Sequence, residues 1–222
     1  MKNKLEILHE DNHIIVVVKP YNILSQSDST KDIDMQTIIK NYIKEKYNKK
    51  GNVYLALLHR LDRPTGGIMI FAKTSKAAKR LSEDFKNNKI KKTYLAVIEN
   101  FPLEKGTFTD HIEKQKEKSV ISKKGKFASL TFEKIKQIKN YSLVKINLQT
   151  GRHHQIRVQF SERGFPLYGD QKYGKQDKKQ LLLYAYKLEF THPVTKEKMT
   201  FTKIPTYSKF SLFKEYLWKI KK

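Results

Sequence analysis

His59-Arg60-Leu61-Asp62-Arg63-Pro64-Thr65-Gly66-Gly67 sets one carboxylate between two guanidinium groups, directly before a Pro/Gly turn. Apolar runs stand on both sides. Val53 to Leu58 reads as a strand leading in, and Ile68 to Ala72 as a buried strand leading out. The incoming strand would carry Asp62 to the end of a sheet, and the turn would let a substrate approach closely. Taken by itself, the segment reads rather more readily as an Asp–Arg pair on the surface of a strand end.

Working outward, Ile7 to Val18 reads as strands, with the β-branched run Ile14 to Val18 stopping at Pro20. A polar loop over 24–34 precedes a helix in which Met35, Ile38, Ile39, Tyr42, Ile43 and Tyr47 keep helical spacing and Asp34 caps the start. Beyond Ala72, Ser75 reads as the N-cap of a second helix with Ala77, Ala78, Leu81 and Phe85 on one face. A strand follows over Thr93–Glu99 and further strands from Thr107 to Gln149, where Val144, Ile146 and Leu148 alternate with polar residues. A short helix carries Ile156 and Phe160 and stops at Gly164. Two more strands are expected over Leu181–Phe190 and Met199–Ile204, with a closing helix over Phe210–Lys222. The interspersed elements lack βαβ spacing. They predict one α+β domain over residues 1–222, built on a large mixed, mostly antiparallel sheet with flanking helices.

The formal net charge of +24 predicts a polyanionic partner, with nucleic acid the default. A chain that simply favours lysine would show the same excess. Arginine discriminates better, because only six of the 46 basic residues are Arg. Five of the six lie in two short segments, 59–63 and 152–163. Where lysine serves for any point charge, the rare arginines mark places that need a planar, multi-donor group. The lysines at 114, 116, 118, 123, 124 and 126 read as an exposed, charged hairpin. The chain has no cysteine, which excludes a disulfide framework, a thiolate zinc site and a cysteine nucleophile. No signal peptide is expected from Met1 to Glu10, and the apolar runs are too short to span a bilayer.

The second arginine segment, Leu148-Gln149-Thr150-Gly151-Arg152-His153-His154-Gln155-Ile156-Arg157, concentrates donors suited to phosphates and base edges. It reads equally as a polar helix start. Adjacent His153 and His154 are expected to diverge, a poor geometry for one metal ion. Asp170 is expected to cap a turn, and His59 to support the Asp62 turn.

The sequence HRLDRPTGG followed by AK resembles the motif around the catalytic aspartate of RluA-family pseudouridine synthases. LQTGRHHQIRVQF with GFPLYGDQKYG resembles the family's third motif, and KTYLAVIEN the segment of its active-site tyrosine. ILHEDNHIIVVVKP and LLLYAYKLEFTHPVTKE are similar to its N-terminal strand pair and its late strand and turn. These five matches run in family order from Leu5 to Pro205. The resemblance implies that Asp62 is the catalytic aspartate, that Tyr94 stacks on the base, and that Arg157 pairs with the aspartate. It further implies that Arg60 holds the flipped nucleotide and that Leu183 lies near the base. Arg63, Arg152, His153 and Gln155 join Arg60 as expected RNA contacts. Tyr184 replaces a common His, and Gly66 a common Ser. The S4-like domain of many relatives is expected to be missing.

The reaction so implied isomerises uridine to pseudouridine in structured RNA, ribosomal or transfer, with no cofactor and no metal. The protein is expected to be cytoplasmic, monomeric and free of membrane. A non-catalytic RNA-binding assembly factor on the same fold is the alternative. A metal-dependent nuclease would need clustered acidic ligands, whereas the motifs centre on one carboxylate.

Overall fold

The computed structural model describes residues 5–220. Among these residues the chain is α+β, with eleven strands in a large, mostly antiparallel sheet and four α-helices, as the interspersed pattern predicts. It divides into two compact units. One comprises residues up to Ile90 together with Leu188–Lys203, the other Lys91–Lys187 together with Ile204 onward.

In the first unit, β1 (Glu6–Glu10) and β2 (Ile14–Lys19) form an antiparallel pair, and β2 pairs in turn with β4 (Gly66–Ala72). All seven residues of β4 are buried, so it reads as a continuous apolar run without alternation. α1 (Met35–Lys46) starts as expected, with the Asp34 carboxylate accepting from the Thr37 N–H. α2 (Ser75–Lys86) is capped one residue earlier than expected, by Thr74, whose hydroxyl accepts from the Ala77 N–H. The expected strand over 53–58 contracts to β3 (Ala56–Leu57), paired with β4. The Leu55 carbonyl accepts instead from the Gln36 side chain. Ile14, Val16, Ile68, Ile70, Ala77 and Leu81 form the core, completed by Leu188 and Phe190 from far along the chain.

In the second unit, β5 (Lys91–Glu99), β9 (Tyr141–Leu148), β8 (Lys126–Ile138), β6 (Lys105–Gln115) and β7 (Lys118–Ile121) pair antiparallel in that order. α3 (Gln155–Ser161) packs Phe160 into an aromatic cluster with Phe101, Phe108 and Phe132. Gly164, at φ +82°, follows the helix as its expected stop. The residues of β10 (Leu183–Thr191) are shared between the units, and β11 (Lys198–Thr202) pairs with β10. The closing helix begins as a 3₁₀ turn over Ser208–Phe213 and continues as α4 (Lys214–Lys219); its expected last residues, Lys221 and Lys222, lie outside the described residues.

Candidate active site

In the first unit, Asp62 lies in an irregular loop between β3 and β4, and three neighbours pin that loop on either side of it. The Ser25 hydroxyl donates to the Leu61 carbonyl at 2.8 Å and accepts from the Leu61 N–H at 3.1 Å. The Asn22 N–H donates to the Arg63 carbonyl at 2.7 Å. The Lys19 ammonium donates to the same carbonyl at 3.1 Å, and also to the carbonyls of Pro20 and Ile23. A turn closes the loop, with the Thr65 N–H donating to the Asp62 carbonyl. Main-chain positions 61 and 63 are therefore fixed, and the carboxylate between them inherits that position.

Lys19, which the sequence did not single out, holds this loop in place. It ends a β-branched strand, is 0% exposed, and its register partner is Gly67. Burial pushes the ammonium down to about 7; the charge of Asp62 pulls it up, and Arg63 pushes it further down. The three carbonyl acceptors suit the protonated form. His59 accepts from the Ile70 N–H through Nε2 at 3.1 Å, and its ring stacks on Phe85. These contacts make it a support of the loop. Arg63 is exposed and pairs with Asp32 at 2.8 Å, while Arg60 is exposed at the loop entrance.

In the second unit, Tyr94 is on β5 opposite Ile146 and is 8% exposed. Arg157 projects from α3 and is 3% exposed. Its Nε and Nη2 each donate at 2.8 Å to one oxygen of Asp170, a fully buried bidentate pair. Asp170 does cap its turn, accepting from the N–H groups of Lys172 and Tyr173. Its hold on Arg157 has no signal in the sequence. Gly169 makes that turn possible at φ +73°, where an added Cβ would meet the Gln180 carbonyl at 2.1 Å.

Tyr173 joins several of these groups. Its ring lies 5.2 Å from the Arg157 guanidinium carbon. Its hydroxyl accepts from the Ser119 N–H at 2.7 Å and bonds the His154 Nδ1 at 2.8 Å. The two adjacent histidines do not diverge as expected. His154 adopts a left-handed conformation at φ 53°, which turns its side chain alongside that of His153, and the rings stack 3.7 Å apart. Among the described residues no group of three or more His, Cys, Asp or Glu could hold a metal ion.

Gln155 is 3% exposed, and both ends of its amide are engaged. Its Oε1 accepts from Thr150 Oγ1 and from the Arg152 N–H, and its Nε2 donates to the Ser129 carbonyl. It braces the segment that presents Arg152. Arg152 in turn donates through Nε to the Phe127 carbonyl at 2.8 Å. Lys92 is lowered by burial first and by the charge of Arg152 second, so positive charge gathers at this end of β5. Leu183 is buried at the start of β10.

Asp62, Arg60 and Arg63 thus belong to the first unit, and Tyr94, Arg152, His153, Gln155, Arg157 and Leu183 to the second. The arginines do mark planar pairing, but three of them pair with carboxylates of their own chain. Arg63 holds Asp32, Arg157 holds Asp170, and Arg163 holds Asp110 while lying over the ring of Phe108.

Comparison with known proteins places this geometry in a family. The family profile described as RNA pseudouridylate synthase matches residues 13–162. A tRNA pseudouridine synthase C from Haemophilus ducreyi is 29% identical over 97% of either chain. A ribosomal large subunit pseudouridine synthase C from Buchnera aphidicola is 33% identical over 89% of this chain and 67% of its own. The solved structure of human RNA pseudouridylate synthase domain containing 4 shares the fold, with a TM-score of 0.78 at 24% identity over 96% of this chain and 93% of that one. No helix among the described residues is long and apolar enough to cross a membrane. The chain belongs to the RNA pseudouridylate synthase family, in its RluA branch, and is an RNA pseudouridine synthase, an isomerase.

Proposed function

We propose that the protein converts specific uridines of structured RNA, ribosomal or transfer, to pseudouridine through the carboxylate of Asp62. The bond from uracil N1 to the sugar carbon breaks, and C5 bonds to that carbon in its place. C5 loses a proton and N1 gains one, so substrate and product are isomers and no cofactor is consumed.

The observation that carries this reading is the loop around Asp62. Ser25, Asn22 and Lys19 fix the main chain on both sides of one carboxylate flanked by two arginines. Fixing a reacting group before substrate arrives removes part of the entropic cost of the reaction. A carboxylate also serves as the nucleophile in other glycosidic chemistry. The target base must leave its stack to reach such a group, and Tyr94 offers a ring to receive it. Stacking on an aromatic is worth about 1–3 kcal/mol per base. Arg157 serves the aspartate. Arg60, Arg63, Arg152 and His153 hold the strand, Gln155 acts through its grip on Arg152, and Leu183 packs near the base. The relatives are named for transfer RNA and for large-subunit ribosomal RNA, which supports both substrate classes. In this reading the chain works as a single, monomeric catalytic domain in the cytoplasm.

The test uses RNA from cells lacking the protein. Incubation with wild type, followed by carbodiimide labelling and primer extension, should reveal a new pseudouridine. Asp62→Ala should leave that site unmodified while binding the RNA as wild type does. A site modified equally by Asp62→Ala would remove the carboxylate from the chemistry. No new site with wild type, despite tight binding, would turn the reading toward an assembly factor.

A further inference from the structure

The second unit holds a cavity of about 240 Å³ bounded by the β6–β7 hairpin, the turn into β8 and the segment Arg152–His153. Sites that enclose drug-sized ligands run from about 300 to 1,000 Å³. This one is smaller and suits a single nucleotide.

Its charge is one-sided. Lys114, Lys124, Lys126 and Arg152 line it, against one acid, Glu113. Exposed lysines alone would signify little, but the inner wall is built. Arg152 is tied to the sheet through Nε on the Phe127 carbonyl, and its own N–H is held by Gln155. The hydroxyl of Ser119, a buried residue, donates to the His153 carbonyl at 2.8 Å, so its oxygen accepts from the His153 Nδ1–H at 2.9 Å. The outer wall is also constrained. At Gly125 an added Cβ would lie 2.4 Å from the Ile112 carbonyl carbon, so the turn packs directly on β6 between the two lysines. A guanidinium fixed in advance on an inner wall, with mobile ammonium groups at the rim, is the arrangement that receives a phosphate.

We propose that this cavity binds one nucleotide of the substrate strand other than the target uridine, gripping its phosphodiester. The inference rests on the RNA-modifying function proposed above and adds where the strand is anchored. An RNA strand is favoured over a free nucleotide because the rim lysines, on β6, the turn into β8 and β8 itself, are exposed, and because α3, which begins two residues after His153, carries Arg157.

The test is filter binding of a single-stranded uridine decamer to the full-length protein, over 50–300 mM salt. The double variant Lys124→Ala/Lys126→Ala is compared with Lys76→Ala/Lys79→Ala, which removes two exposed charges from α2. The pocket variant should bind about ten-fold more weakly, with the salt slope shallower by about 0.7 for each phosphate it no longer neutralises. The α2 variant should change affinity less than two-fold, and Lys124→Arg/Lys126→Arg should restore it. Equal losses in both double variants would reduce the effect to general charge and overturn the proposal, as would wild type that does not bind the decamer. Displacement of the decamer by uridine monophosphate or inorganic phosphate at matched phosphate concentration would show a free-anion site and also overturn it. Pseudouridine formation is read separately. A wild type that binds the decamer through the pocket but forms no pseudouridine in RNA from cells lacking the protein refutes the proposed reaction and leaves the pocket intact.

Discussion

The two candidate charged groups are held in opposite ways. Around Asp62 the restraints fall on the main chain, on Leu61 and Arg63, and come from Lys19, Asn22 and Ser25. Around Arg157 they fall on the side chain itself, through the bidentate Asp170 and the ring of Tyr173. A carboxylate is short, so fixing its backbone largely fixes its oxygens. A guanidinium ends a long, flexible stem and needs its donors held directly. The same demand for position thus calls for different partners, and the two regions should fail differently when damaged.

The largest loss is expected from Asp170→Ala. It strands a buried guanidinium and uncaps a turn, so chemical denaturation should show a fall of about 3–5 kcal/mol. A loss under 1 kcal/mol would mean that the pair contributes little and that Arg157 is held elsewhere.

The next effect belongs to Lys19 and depends on pH. The unfolded lysine keeps its proton to about 10.5, and the folded one releases it near 7. Between those values the unfolded state binds more protons, so stability rises with pH, and the cost of the buried charge is fully felt below pH 7. From pH 7 to 9 the expected gain is about 2 kcal/mol, and Lys19→Met should abolish it. Denaturant titrations of both proteins at the two pH values measure this. Parallel curves would place the Lys19 ammonium in its ordinary range.

Tyr173→Phe keeps the ring against Arg157 but removes the hydroxyl from Ser119 and His154. It should cost about 1–3 kcal/mol for the buried N–H left unpaired. A double-mutant cycle with Asp170→Ala should show coupling, because Asp170 accepts from the Tyr173 N–H and so helps to position that hydroxyl. Additive losses would break the network into independent pairs. Ser25→Ala should be mildest, at about 1 kcal/mol, but should lower turnover more than RNA affinity, because it loosens the loop at Leu61. Equal falls in both would make Ser25 a general stabiliser.

Much of the fold is legible in the sequence because its signals are local. Ile14 to Val17 are buried side by side, and Asp34 caps α1 with the carboxylate three residues before its partner. The charged hairpin stands as β6 and β7. What is illegible depends on distant partners or on unusual backbone. Lys19 stays buried in part because a carbonyl 44 residues away accepts a hydrogen bond from its ammonium. The family resemblance pairs Arg157 with Asp62, and nothing near Arg157 in sequence announces Asp170. The histidines stack because His154 is left-handed, which a residue other than glycine rarely signals in advance. The strand over 53–58 is short because a helix side chain takes one of its carbonyls.

The discontinuous first unit has a consequence for synthesis. Its core needs Leu188 and Phe190, and His192 closes onto Asp11 across 181 residues at 3.0 Å. At about 5–20 residues per second, the ribosome makes the first 90 residues on the order of ten seconds before it supplies these partners. During that interval Ile14 to Val18 is a β-branched run with no finished core to enter, the kind of segment that seeds aggregation. The lysine excess gives the unfinished chain a net charge that keeps copies apart.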